Sequence, residues 1–345
     1  MPRVARYAFV AFAFFVFIPI VSAQQKTDFI PDDIKLKTAK KSGWFPALKA
    51  GFNFSFAQSD SVVGIPDGTT LNFGVQLEGS LLFSSGQHEW RNSLKLVHTQ
   101  TKIPAIKLFL KSADRLDLES IYTYRFKSPK WLGLFIGLKS NTALLAGYLV
   151  KDTDTDLLLK TTTGKVIERK ALKDTQFPLT SAFSPFFLKE SAGLSMLPYD
   201  KTHMKVDLKL GGGAVQVFTG SSDDENALIG FVLADDAATP KLELTQLQDY
   251  VQAGVELQVG VTGVLLSKSL SYSILAEVML PLFSSVTNNL STIELINVEI
   301  AAKLSIKLAS WASLNYSLSV VRAPLIVADW QIVNNLMLSI TANLI

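Results

Sequence analysis

Between Leu71 and Phe83 the chain reads LNFGVQLEGSLLF, and its side chains alternate: Leu71, Phe73, Val75, Leu77, Gly79, Leu81 and Phe83 against Asn72, Gly74, Gln76, Glu78 and Ser80. A period of two puts apolar residues on one face of a strand and polar residues on the other. The pattern recurs to the C-terminus, where Leu336, Leu338, Ile340, Ala342 and Leu344 alternate with Met337, Ser339, Thr341 and Asn343. Few folds accept so many long alternating segments in one chain.

Side-chain parity divides the chain into about twelve strands, within a range of about 10–14. They run Trp44–Phe56, Leu71–Phe83, Glu89–Thr101, Asp114–Phe126, Trp131–Val150, Ser184–Leu197, Met204–Phe218, Leu247–Val261, Leu270–Leu280, Ile296–Ile306, Trp311–Val321 and Trp330–Ile345. Trp131–Val150 keeps one parity and reads as one long strand, with a hairpin around Lys139 to Asn141 as the alternative. Ser184–Leu197 carries a charge on either face, Lys189 or Glu190. The centre of the loop 219–243, Ala227 to Leu233, is apolar and suits an extra hairpin strand.

Connection lengths alternate as well. Those after odd-numbered strands run to about twelve, twelve, thirty, twenty-five, ten and seven residues, and the others to about three to five, as in outer-membrane barrels with short periplasmic turns and long external loops. The hydrophilic stretch 151–183 and the segment 219–243 are the longest external loops. The predicted fold is all-β, an antiparallel transmembrane β-barrel over residues 44–345.

What precedes it fits export. Arg3 and Arg6, the apolar run Ala8 to Ile20 and the small residues of Val21-Ser22-Ala23 read as a cleaved signal peptide over 1–23. Residues 24–43 are polar, with Pro31 and Lys40-Lys41, and read as a periplasmic lead-in. The expected location is the outer membrane of a Gram-negative bacterium, with both chain ends in the periplasm. The expected partners are its lipid and, through the terminal strand, the barrel-assembly machinery.

A secreted sandwich or lipocalin-like protein also alternates, but strands in soluble proteins average ~5–6 residues. Several here reach lengths beyond the ~9–11 residues that cross a bilayer at a tilt. Mean hydropathy is +0.27, high for a chain with no further apolar helix, and lipid-facing strands account for it. Trp44, Trp90, Trp131, Trp311 and Trp330 all fall at strand ends, where an interfacial ring is stable.

Composition narrows the chemistry. There is no cysteine, so disulfides and thiolate chemistry are excluded. The histidines, His88, His98 and His203, lie far apart and lack metal-binding spacing. Formal charge is +3 with Arg3 and Arg6 included, which leaves 31 basic against 30 acidic side chains after cleavage and no case for nucleic acid. His98 is predicted near the external rim on the outward face, His203 near a periplasmic turn and His88 within one. None lines the lumen at mid-height, so no enzyme, cofactor or metal is expected. Asp114, Asp117 and Glu119 are interleaved with Arg115 and Arg125, a pattern of mutual neutralisation rather than of a calcium site.

The candidate functional surface is the lumen. Its predicted lining comprises Lys49, Arg91, Lys95, Arg115, Arg125, Lys139, Lys205, Lys209, Lys303 and Lys307 against Glu78, Asp117, Glu119, Asp207, Glu256, Glu277 and Glu299. Mixed signs either tune a pathway for small solutes or knit an interior shut. A porin-like passive pathway is the first expectation. A closed barrel whose long loops bind a partner or surface ligand is the second, and a soluble periplasmic β-protein the third.

The order HEWRNSLKL, KSADRLDLESIYTYRF, a Trp-led strand ending in AGYLV, and SPFFLKESAGLSMLPYDK resembles an uncharacterised family of bacterial outer-membrane β-barrel proteins, a domain of unknown function. The family's Asn-Trp-Gly-Gly box is absent from the first hairpin, where GTTLNFGVQLEGS stands. The resemblance implies a location and no activity.

Overall fold

The computed structural model describes residues 42–59, 68–201, 203–222, 229–233, 241–265, 269–286, 290–309 and 311–343. The expected signal peptide (1–23), nearly all of the lead-in (24–43) and the turn at Ser267-Lys268 lie outside them. The strands are β1 (Gly43–Ser59), β2 (Gly68–Ser85), β3 (His88–Lys102), β4 (Leu110–Arg125), β5 (Leu132–Thr142) and β6 (Gly147–Leu149). Then follow β7 (Thr155–Lys160), β8 (Val166–Ala171), β9 (Phe177–Thr180), β10 (Phe186–Lys201), β11 (Met204–Phe218) and β12 (Phe231–Leu233). The last are β13 (Leu242–Gln246), β14 (Tyr250–Leu265), β15 (Leu270–Ser284), β16 (Asn297–Lys307), β17 (Ala312–Ala323) and β18 (Val327–Asn343).

Twelve of them close into a barrel in the order β1-β18-β17-β16-β15-β14-β11-β10-β5-β4-β3-β2. Every pair in it is antiparallel, and the ring is sealed where Lys49–Phe52 of β1 meets Asn343–Ile340 of β18. Closure removes the sheet edges that hydrocarbon does not tolerate.

Adjacent register rows show which way the barrel faces. Leu134, Leu194, Leu210, Leu257, Val278 and Val298 are directly paired, neighbour to neighbour, from β5 to β16. The row one residue along reads Gly133, Ser195, Lys209, Gln258, Glu277 and Glu299. Leu134, Leu194, Leu210, Leu257 and Val278 are exposed; Ser195, Gln258, Glu277 and Glu299 are buried. The barrel is inverted relative to a soluble one, with its apolar belt outside and its polar residues inside, and only a lipid environment satisfies that belt. Leu257→Arg in mid-β14 is therefore expected to destabilise the folded protein by about 2–4 kcal/mol in lipid vesicles, measured by denaturant titration. A change within ~0.5 kcal/mol, typical of a soluble surface, would contradict the lipid-facing assignment.

Aromatic side chains gather where the short connections lie. Trp44 packs at a tilt against Phe83 (4.8 Å between ring centroids) and Trp90 (5.9 Å). Trp90 Nε1 donates to Ser120 Oγ (2.9 Å), and the His88 ring is bonded to Tyr122 Oη (2.6 Å). His88 begins β3 rather than sitting in the turn before it. Farther round, His203 is joined to Tyr199 Oη (2.9 Å), and Tyr272 Oη donates to its carbonyl (2.9 Å). Trp131 and Trp311 are exposed at the same end, and Trp330 at the other. These polar-tipped rings suit the membrane–water boundary.

At the long-loop end the structure departs from the sequence expectation. The segment Trp131–Val150 is not one strand: β5 stops at Thr142, and the chain bends before β6. Asp114 holds the bend, accepting from Leu145 N (2.8 Å) and Lys111 Nζ (3.0 Å). Nor is 151–183 an irregular loop, for it contributes β7, β8 and β9. The apolar centre of 219–243 does yield a hairpin strand, β12, antiparallel to β13. β13 then pairs in parallel with β7, joining the two long loops into one four-stranded sheet ordered β12-β13-β7-β8. Leu149, Leu157, Leu159, Ala171, Phe231 and Leu244 form its buried core. Parity over Trp131–Val150 masked the break because a bend of a few residues left the alternation in phase.

Candidate functional site

The lumen wall holds the chain's buried charges. On β1 to β4, Lys49, Glu78, Lys95 and Asp117 stand side by side in one register row, with Asn141 of β5 next in line. The signs alternate, so each charge has an opposite neighbour on the adjacent strand. Asp117 is further bound by Arg115 Nε (2.5 Å) and Asn141 Nδ2, and Gln76 donates to Glu78. Lys95 also lies within the field of Lys303, across the lumen on β16. Of the acids interleaved with Arg115 and Arg125, Asp117 meets Arg115, whereas Glu119 meets Lys139 (3.6 Å), Arg125 approaches Asp207 (3.9 Å), and Asp114 binds Lys111 (3.0 Å) and His98 (3.3 Å).

Nearer the long-loop end is a network that neighbouring pairs do not explain. Lys139 of β5 is directly opposite Lys189 of β10, an unfavourable like-charge pair. Both reach Glu277 on β15, Lys139 at 3.1 Å and Lys189 in close contact. Lys189 also meets Glu256 of β14 (3.0 Å), and Lys139 meets Glu119 of β4 (3.6 Å). Glu277 in turn is paired with Glu299 of β16, a second like-charge pair. Bringing the lysines to the acids relieves both repulsions. The path crosses β11, where Gly213 leaves the space: a Cβ there would collide with Glu256 Oε2. The side chains of Lys189, Glu256 and Glu277 are 12%, 5% and 7% exposed.

A third group lies at the short-turn end. Arg91 and Glu89 of β3 pair with each other, and Lys209 of β11 binds Asp207 (3.0 Å) and Gln258 Oε1 (3.0 Å). Arg125, the last residue of β4, approaches Asp207 at 3.9 Å, and Lys205 faces the same space. Lys307 is exposed at this rim.

Lys189 and Glu89 belong to the lining but were not read from the sequence. For Lys189 the usable signal was the parity of Ser191, Gly193 and Ser195, small residues unsuited to a lipid-facing belt. Glu190 is the outward, exposed one. The side chains of β18 beyond Ile332, including the alternation that ends the chain, lie outside the described side chains.

Fold and lining together define a class: an all-β, antiparallel, twelve-stranded transmembrane β-barrel with a charged lumen and a folded external sheet. No protein-family model matches the chain, and no curated protein matches it. Among solved structures it is similar to the COG4313 outer membrane channel from Pseudomonas putida F1, at 10% identity and a TM-score of 0.38, over 92% of this chain and 99% of that one. It is similar to the translocator domain of the autotransporter NalP from Neisseria meningitidis, at 8% identity and 0.34, over 89% and 90%. The β domain of the Bordetella autotransporter BrkA gives 10% identity and 0.31, over 87% and 97%. Likenesses of this degree say nothing of activity.

Proposed function

We propose that the protein is an outer-membrane channel through which small polar solutes pass passively. The observation that carries this reading is the density of charge on the inward face. Transfer of an ion into a dry interior costs several kcal/mol even after relaxation. Water beside Arg91, Lys95, Arg125, Lys139, Lys205 and Lys303 lowers that cost where ion pairing alone does not. Water in a charged tube is the condition for solute passage. The short-turn end is then periplasmic, the sheet β12-β13-β7-β8 external, and β18 the strand presented to the assembly machinery.

The proposal includes no catalysis. His98, the histidine with an acidic partner, is engaged by Asp114 (3.3 Å) and Gln100 (3.1 Å), whereas an acyl-transfer relay needs a hydroxyl beside the ring.

Single-channel recording of the refolded chain in a planar bilayer tests the reading. Discrete conductance steps are expected, and charge reversal at Arg115 or Lys205 should shift the reversal potential in a salt gradient. Silence from protein shown by heat-modifiable migration to be folded would overturn it. The external sheet, whose shared core marks it as a built surface, would then be the working part as a partner-binding face.

A further inference from the structure

We propose that an ion-paired crossbar, Glu119–Lys139–Glu277 with Lys189 and Glu256, closes one side of the lumen and confines its water path to the wall formed by β1 and β2. The crossbar deepens the channel reading by naming the residues that limit solute size. Only that consequence rests on the reading.

The geometry begins with the order of strands. Between β5, which carries Lys139, and β15, which carries Glu277, lie β10, β11 and β14. The two strands are therefore four spacings apart in a ring of twelve, or ~19 Å along the wall at ~4.8 Å per spacing. Lys139 Nζ nevertheless stands 3.1 Å from Glu277 Oε2. Such a contact is a chord through the interior and not a step along the wall. Glu119 of β4, 3.6 Å from Lys139, carries the chord over five of the six spacings that make half the ring. Lys189 of β10 runs beside it to Glu256 (3.0 Å) and Glu277, three strands away. Each lysine is held by two carboxylates, which restrains a stem that would otherwise be free to fold back. Gln258 Nε2 donates to Glu277 Oε2 (3.3 Å) and supports the far end.

Exposure of the inward residues follows the same division. On β15 the successive inward side chains Ser273, Leu275, Glu277 and Met279 are all buried. Gln252, Glu256 and Gln258 of β14 are buried with them, and Asn297 Nδ2 donates to Gln252 Oε1 (2.9 Å). On β1 and β2 the inward residues Lys49, Gly51, Gln76 and Glu78 are instead partly exposed. Glu256 and Glu277 are polar groups that water would reach in an open tube, so their burial measures how far the crossbar fills its side. A pathway is set by the lining that remains exposed, here on the β1–β2 wall.

The chain has no cysteine, so single thiols can be placed without background. Gln76→Cys and Met279→Cys, refolded in detergent and treated with the cationic reagent methanethiosulfonate ethyltrimethylammonium, report the two sides. Modification of the Gln76→Cys variant is expected to be about tenfold faster or more. Equal rates in folded protein would overturn the one-sided path. The double variant Lys139→Ala/Glu277→Ala removes one charge of each sign and leaves Lys189 with Glu256. It should raise single-channel conductance about twofold. Unchanged conductance, with folding verified by heat-modifiable migration, would overturn the crossbar as the constriction. A conducting wild type with equal labelling overturns the crossbar and keeps the channel. A silent wild type with unequal labelling keeps the one-sided interior and overturns the channel.

Discussion

Lys189→Met is expected to destabilise the barrel by about 3–5 kcal/mol, the typical cost of removing one partner from a buried ion pair. The lysine contacts Glu256 and Glu277 together, and its loss takes a cation from two carboxylates on adjacent strands, while Lys139 stays 3.1 Å from Glu277. Glu277 moreover stands directly opposite Glu299. Methionine keeps the length of the side chain, so the loss reads charge and not volume. Urea unfolding in detergent or lipid vesicles measures it. A loss below ~1 kcal/mol, the range of an exposed pair, would mean that solvent screens the network. Adding Glu256→Gln to Lys189→Met should restore part of the stability, because it removes one orphaned charge.

Leu244→Ala is expected to cost about 2–5 kcal/mol, but within the external sheet alone. Leu244 is fully buried on β13, against Leu157 and Leu159 of β7, and holds the parallel pairing that joins the two long loops. Truncation opens a cavity in a core of very few residues. The segments 151–183 and 219–243 should then become cleavable by added protease, while the barrel keeps its heat-modifiable migration. Undiminished protease resistance would show that the loops do not depend on a shared core. Loss of the whole barrel would show that sheet and barrel unfold as one.

Much of this architecture was legible in the residues because a barrel wall is a one-dimensional code. Alternation at Leu71–Phe83 named a face for each side chain, and the pairing of β2 with β1 and β3 preserves those faces. The break in Trp131–Val150 was not legible. Alternation records which face a residue takes and not whether it remains in the same sheet, so the departure after Thr142 left no trace in parity. The parallel contact of β13 with β7 was hidden for a different reason. These segments are separated in sequence by two barrel strands, and nothing local signals a pairing that exists only once β10 and β11 bring the loops together.

The lining divides in the same way. Lys49, Glu78, Lys95 and Asp117 were assignable as inward by parity, and they are neighbours because consecutive strands pair. Lys189 was ambiguous because Glu190 follows it, and each choice of face left one charge in lipid. That Lys139 and Lys189 converge on Glu277 follows from closure and from the glycine space on β11. By itself the sequence determined the alternating barrel strands and, along most of them, which residues face lipid and which the lumen, since those depend on polarity at a fixed period of two. Only the tertiary structure decided which charges meet and which do not, because ion pairing depends on distances of a few ångströms between strands far apart in the chain.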